Sequence, residues 1–418
     1  MSSMSQHQVR RRRVFYIPGY DPIHPRRYRE LYRKESAAQA AISGYDIDLR
    51  PKTGAGAYGW QVEGRFGSET VTADVEVLVW SDIVRDSMSN SIPATYRQLL
   101  NTAWTYIGSG ALWRLMRLRK GPVIAALYPV VFLLVQLALA CAVAYGVARL
   151  GAEATIWVTG GARTAGFVAL ILLTAMLGAG AAVLVLRWFR ARDGRFFAYY
   201  LMHDYAHSAL LKGAYPPELE ARLAVFADAI ATALQEPVDE VLVVGHSSAA
   251  HLAVSVLADL IRAGRVPVEG PHMAFLSLGQ VVPMLSFLPN AQRLRADLQY
   301  LSESGALTWV DVTAPGDGCA FALCDPVAVS GVARAGKRWP LVLSAAFTQT
   351  LSPERWKALR WRFFRLHFQY LCAFDRPGDY DYFAITAGPM TLAERYHGRA
   401  PSKSRIDRAV SGHVSVSA

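Results

Sequence analysis

Two stretches interrupt an otherwise mixed pattern of apolar and polar positions. Residues 121–148 and 164–186 contain no Asp, Glu, Lys, Arg or His over 28 and 23 positions respectively. About 20 apolar residues carry a helix across the ~30 Å hydrocarbon core of a bilayer, so the pattern predicts a hairpin of two membrane-spanning helices. The connecting loop is expected over residues 149–163, with its turn at Gly160-Gly161. Small residues in the second stretch, among them Gly166, Gly178 and Gly180, favour close approach of the two helices. With no ionisable group inside, the pair reads as an anchor rather than a transport path.

Elsewhere the periodicity is that of a soluble α/β protein. Strand-length apolar runs fall at 14–17, 61–66 and 75–80 before the hairpin, and at 240–244, 273–278 and 307–312 after it. Helical patterns are predicted over 94–118, 195–212, 217–234, 249–263 and 293–302. Pro216-Pro217 with Glu218 and Glu220 is a helix start. Strands that are apolar throughout and alternate with helices predict a mostly parallel sheet covered by helices on both faces. Residues 1–120 hold too few elements to close a core. The expected architecture is therefore one α/β domain split between 1–120 and 187–400, interrupted by a two-helix transmembrane hairpin at 121–186. Residues 401–418 lack periodicity and are expected to be a flexible tail.

Composition agrees with this division. Of 418 residues, 52% are hydrophobic and 18% charged, below the roughly 25% charged of soluble domains and far from a disordered composition. Cys141, Cys319, Cys324 and Cys372 form neither a disulfide framework nor a Cys/His metal spacing, which fits a reducing compartment. The net charge is +11. Arg114, Arg117, Arg119 and Lys120 precede the hairpin and Arg187, Arg190, Arg192 and Arg195 follow it, whereas only Arg149 and Arg163 lie between. The positive-inside rule then places both termini and the α/β domain in the cytoplasm. Part of the surplus is thus a topology signal. With no basic segment interleaved with aromatics, nucleic acid is not an expected partner. The cluster Arg10 to Arg13 is expected to be a basic arm, on anionic head groups or solvated.

The candidate chemistry lies in three segments. In Val241-Leu-Val-Val-Gly245-His246-Ser247-Ser248-Ala249 an apolar strand runs through a turn of small residues into an alanine-rich helix, the setting of a nucleophile elbow. Ser247 is its candidate nucleophile, and Ser248 N–H at the helix start a candidate oxyanion donor. Helix capping by Ser247 is the plainer alternative. His246 is expected to face away. Val14-Phe-Tyr-Ile-Pro-Gly19-Tyr20 is a strand ending in a glycine loop that can supply a second donor from Gly19 or Tyr20. Trp309-Val-Asp311-Val-Thr-Ala-Pro-Gly316-Asp317 ends a strand in a Pro/Gly turn. Asp317 is the candidate acid, with Asp325 as alternative, while Asp311 lies within the strand. His367 is the candidate base and His397 the alternative; His413 falls in the tail.

Together VFYIPGYDP, VLVVGHSSA and VDVTAPGDG resemble, in that order, the α/β-hydrolase superfamily in its lipase/esterase-like branch, and in particular bacterial membrane-anchored hydrolase-like proteins. The resemblance covers most of the chain outside the hairpin, with Ala249 where lipases usually carry Gly. It implies an α/β-hydrolase-like sheet and the roles Ser247 nucleophile, His367 base and Asp317 orienting acid. It also implies no metal and no organic cofactor. A bacterial inner-membrane protein is expected, cleaving small-molecule or lipid esters at the bilayer. Alternatives are acyl transfer by the same residues and a non-catalytic protein of this fold that binds a lipid or partner.

Overall fold

The computed structural model describes residues 8–52, 56–88 and 91–417. The chain forms two compact units, one of Met1–Asp86, Thr105–Val123 and Ser208–Ala418, the other of Ser87–Trp104 and Ile124–His207. The second unit therefore takes in helices flanking the hairpin as well as the hairpin expected at 121–186.

The larger unit is an α/β structure around an eight-stranded mixed sheet. Its strands in chain order are β1 (Arg11–Ile17), β2 (Asp46–Pro51), β3 (Gly59–Phe66), β4 (Glu69–Val77), β5 (Glu240–His246), β6 (His272–Leu278), β7 (Thr308–Thr313) and β8 (Leu341–Ser344). Their spatial order is β2-β3-β4-β1-β5-β6-β7-β8. From β4 to β8 all neighbours pair in parallel, and only β3 runs against the rest. β1 joins the two halves of the chain, with Tyr16 opposite Val77 on one side and Val244 on the other. β5 is buried along its whole length, as a central strand covered on both faces must be. The helix Ala249–Arg262 that follows it is buried at eleven of its fourteen positions.

Several expectations are corrected. The arginines at 10–13 are not an arm: Arg11 to Arg13 are the first residues of β1. Arg12 is buried and paired with Glu240 at 2.6 Å, and donates to the carbonyls of Gly388 and Met390. Arg13 pairs with Glu236 and Glu76. Alternation within RRRVFYI, which buries Arg12 beside an acidic strand start, outweighs the cluster's raw charge. The helix expected over 94–118 is two, Ile92–Gly108 and Ala111–Leu118, broken at Gly110 in the left-handed conformation (φ 73°). The last residues are irregular but fastened: Ile406 N–H donates to Leu323 O, Ser402 N–H to Val342 O, and buried Arg295 to Ser415 O.

Lys120–Thr159, which passes into the second unit at Ile124, and Ala165–Ala191 are two helices long and apolar enough to cross a membrane. The first extends about ten residues past the expected start of the loop, which shrinks to the Gly160-Gly161 turn; Arg149 and Glu153, one turn apart at 3.0 Å, belong to the helix. The two helices touch where small residues were expected. A Cβ on Gly178 would lie 2.6 Å from Ala144 O. Much of the remaining surface exposes large apolar side chains, including Val131, Leu134, Leu172 and Met176.

Candidate active site

Because β1, β5, β6 and β7 are parallel, the loops after them leave the same edge of the sheet, where open α/β sheets gather their functional groups. Gly19, Ser247, Gly279 and Asp317 each lie just beyond one of these strand ends.

Ser247 sits between β5 and its helix with φ +61°, a left-handed conformation that a non-glycine residue adopts only when its surroundings enforce it. Its N–H is held by Leu278 O at 2.9 Å. The turn requires small neighbours: a Cβ on Gly245 would come within 3.0 Å of Ala249 O and of Ala250 Cα. Ser247 is half-buried. Ser248 is the N-cap residue of the helix, yet its hydroxyl makes no capping bond. It accepts the Tyr20 N–H instead, at 2.9 Å.

That bond ties the elbow to the loop after β1. Gly19 packs so closely that a Cβ there would lie 3.1 Å from Ser247 Cβ. The loop is pinned on both sides, by Trp80 Nε1 donating to Pro18 O at 2.7 Å and by Asp21, which accepts Tyr28 Oη at 2.6 Å. The candidate donors Tyr20 N–H and Ser248 N–H therefore belong to segments fixed against each other beside Ser247.

His367 ends the short helix Phe363–His367, and its Nδ1 bonds Asp317 Oδ2 at 2.7 Å. Asp317 is buried in the turn after β7 and also accepts Cys319 N–H at 2.9 Å and Tyr370 Oη at 3.0 Å. Burial raises a carboxyl's pKa, but the neighbouring imidazole charge and these donors outweigh it and hold Asp317 below its ordinary range. The imidazole lies against the elbow's surroundings. A Cβ on Gly279 would lie 3.1 Å from His367 Cε1 and 2.7 Å from the Tyr370 ring, so only glycine fits that bend. Among the described residues, the Ser247 hydroxyl and His367 are not hydrogen-bonded to each other.

The remaining candidates lie apart from this group. Asp325 caps the helix Pro326–Val329 and pairs with Lys337 at 2.6 Å, which accounts for its carboxylate in full. His397 is exposed after a peripheral helix. His246, expected to face away, packs on the site: its Nε2 lies 3.0 Å from His367 O and its ring 4.9 Å from the His367 ring. Burial drives its pKa to about 3, so it is a neutral support for the His367 backbone. Three further residues lie at the site, Tyr370, Gly279 and Trp80. Gly279 alone carries a signal, as a glycine directly after an apolar strand.

Asp317, Cys319 and His367 bring one donor atom each within 4.8 Å of one another, the minimum for a metal centre. Their bonding argues for another use. His367 Nδ1 is spent on Asp317, and burial with the adjacent Asp317 charge keeps the Cys319 thiol protonated. No family model, curated protein or solved structure matches the chain.

Proposed function

We propose that the protein is a membrane-anchored serine hydrolase of the α/β-hydrolase type, acting on esters of lipid or long-chain acyl groups. The observation that carries this reading is the Asp317–His367 pair, buried at the same sheet edge as a serine held at φ +61° between strand and helix. Ser247 Oγ loses its proton to His367 Nε2 as it attacks the ester carbonyl. Asp317 holds the imidazole through Nδ1–H and stabilises the imidazolium. The developing oxyanion is received by Ser248 N–H, and by Tyr20 N–H once that donor turns from the Ser248 hydroxyl. His367 returns the proton to the departing alcohol, and water, activated in the same way, then releases the acid from the acyl-enzyme. No step requires a metal or organic cofactor. The lipid substrate class is supported by the two apolar helices, which keep the domain at a bilayer; the flanking arginines favour its cytoplasmic side.

A specific observation favours a second reading, a non-catalytic protein of the same fold that binds a lipid or partner: Ser247 and His367 are not hydrogen-bonded. Catalytic hydrogen bonds are often long before substrate arrives. Membranes containing the protein, treated with a fluorophosphonate probe, separate the two. Labelling that disappears in Ser247→Ala supports the hydrolase, whereas folded wild-type protein that stays unlabelled favours the binder. Acyl transfer would label equally, and product analysis with water or an alcohol as acceptor distinguishes it.

A further inference from the structure

We infer that the exposed ridge at residues 360–365 docks on the anionic head groups of the protein's own membrane and holds the loop of the candidate acid beside the bilayer surface. The ridge reads Arg360-Trp361-Arg362-Phe363-Phe364-Arg365. Trp361 is 73% and Phe363 47% exposed, and all three arginines are exposed. Large aromatics standing in water beside cations match a membrane interface, where ring edges sit at head-group level and guanidinium groups meet phosphates.

What identifies a bilayer as the occupant is where the ridge lies. The Phe363 ring packs on Gly318: a Cβ on Gly318 would be 3.3 Å from Phe363 Cδ1. Gly121 reaches the same residue, since a Cβ there would be 3.6 Å from Gly318 O. Gly121 is the second residue of the first long apolar helix, and Gly318 directly follows Asp317. Two segments some 240 positions apart thus converge on the loop of the candidate acid, and the ridge's own helix ends in His367. Trp113, Arg117 and Lys120, at or just ahead of that helix start, are exposed as well, while Leu115 and Leu118 are buried beneath them. A bilayer entered at Lys120 lies within reach of the ridge without any further element.

The inference rests on the two long helices crossing a bilayer and not on the chemistry of Ser247. The test uses the full chain in nanodiscs of phosphatidylcholine alone or with about one-third phosphatidylglycerol. Hydrogen exchange is followed in peptides covering 357–366. Because each basic residue near an anionic surface favours contact severalfold, exchange there is expected to slow at least about tenfold in the anionic discs. The triple variant Arg360→Gln, Arg362→Gln, Arg365→Gln loses that difference, and unchanged protection of β5 and β7 shows that it is folded. Equal exchange in the two disc types, protection that survives the triple variant, or failure of the chain to incorporate into discs overturns the inference. Ser247→Ala protein must show the same protection, so a failed labelling experiment with protection intact removes the hydrolase reading and leaves the docking surface standing.

Discussion

Tyr370 Oη and His367 Nδ1 meet on one oxygen, Asp317 Oδ2, at 3.0 and 2.7 Å. The same phenol oxygen accepts Ala314 N–H at 2.9 Å, so Tyr370 braces both the carboxylate and the turn that carries it. Tyr370→Phe removes a hydrogen bond to a charged group, about 1.5–3 kcal/mol. We expect kcat/KM for an ester substrate to fall about tenfold or more. The loss comes from a carboxylate and a turn no longer held in place under the imidazole, and the Asp317 pKa rises because one donor that lowers it is gone. A variant within twofold of the wild-type rate contradicts the brace.

Gly19→Ala tests the loop after β1. The added methyl meets Ser247 Cβ at 3.1 Å and must push the Tyr20 donor away from the elbow. Loss of one oxyanion donor costs about 10²–10³ in kcat. The melting temperature should change little, because the loop retains Trp80 and Tyr28. A rate within twofold of wild type removes Gly19 and Tyr20 from the oxyanion site.

Arg12 and Arg10 are two residues apart and should behave oppositely. Arg12→Ala leaves Glu240 charged and buried without its partner, at a cost of about 3–5 kcal/mol. Exposed Arg10→Ala should stay within about 0.5 kcal/mol. Denaturant titration of the two variants measures the difference, and similar midpoints contradict the buried ion pair.

Asp311 sets a pH dependence of its own. It is fully buried in β7; Ser277 Oγ donates to its Oδ1 at 2.6 Å, and its Oδ2 has no partner among the described residues. Burial raises its pKa to about 8. In the unfolded chain it titrates near 3.9, so between roughly pH 4 and 8 the folded state holds the extra proton. Its contribution is complete below pH 4 and lost as pH rises through about 8. Asp311→Asn removes that loss, and should melt higher than wild type at pH 8.5, with the gap closing toward pH 5. Asp317 has the opposite sign. Its lowered pKa stabilises the fold above the unfolded value and is lost as pH falls through the folded one. Parallel melting curves for wild type and Asp311→Asn across this range contradict a protonated Asp311.

Local pattern is enough for the strands β5, β6 and β7, for the helix after β5 and for the two long apolar helices, because each is apolar over its whole length or on one full face. It is not enough for β2, which mixes charged and apolar residues and is mostly exposed at a sheet edge, or for β8, only four residues long. Arg12 escapes a local reading because burial of an arginine depends on Glu240, which the sequence places 228 positions away. The contact of Asp317 with His367 and the sharp turn at Ser247 are legible from turn chemistry and chain order. Tyr370 is not, since nothing in a lone tyrosine reveals that a distant carboxylate will need its hydroxyl. Beyond residue 148 the charge on Arg149 suggests a loop, yet its partner Glu153 stands one helical turn on and the helix continues.

The place of β1 has a consequence for how the chain is made. One edge of this strand pairs with β4, which is synthesised soon afterwards; the other waits for β5, and both long apolar helices emerge from the ribosome in between. Until then the nascent protein carries an unpaired strand edge and an arginine, Arg12, without its counter-ion. Exposed edges are the usual starting points of aggregation. Completion of the sheet is therefore tied to completion of the two long helices, and, on the anchoring proposed above, a delay in inserting them prolongs the most vulnerable stage of biogenesis.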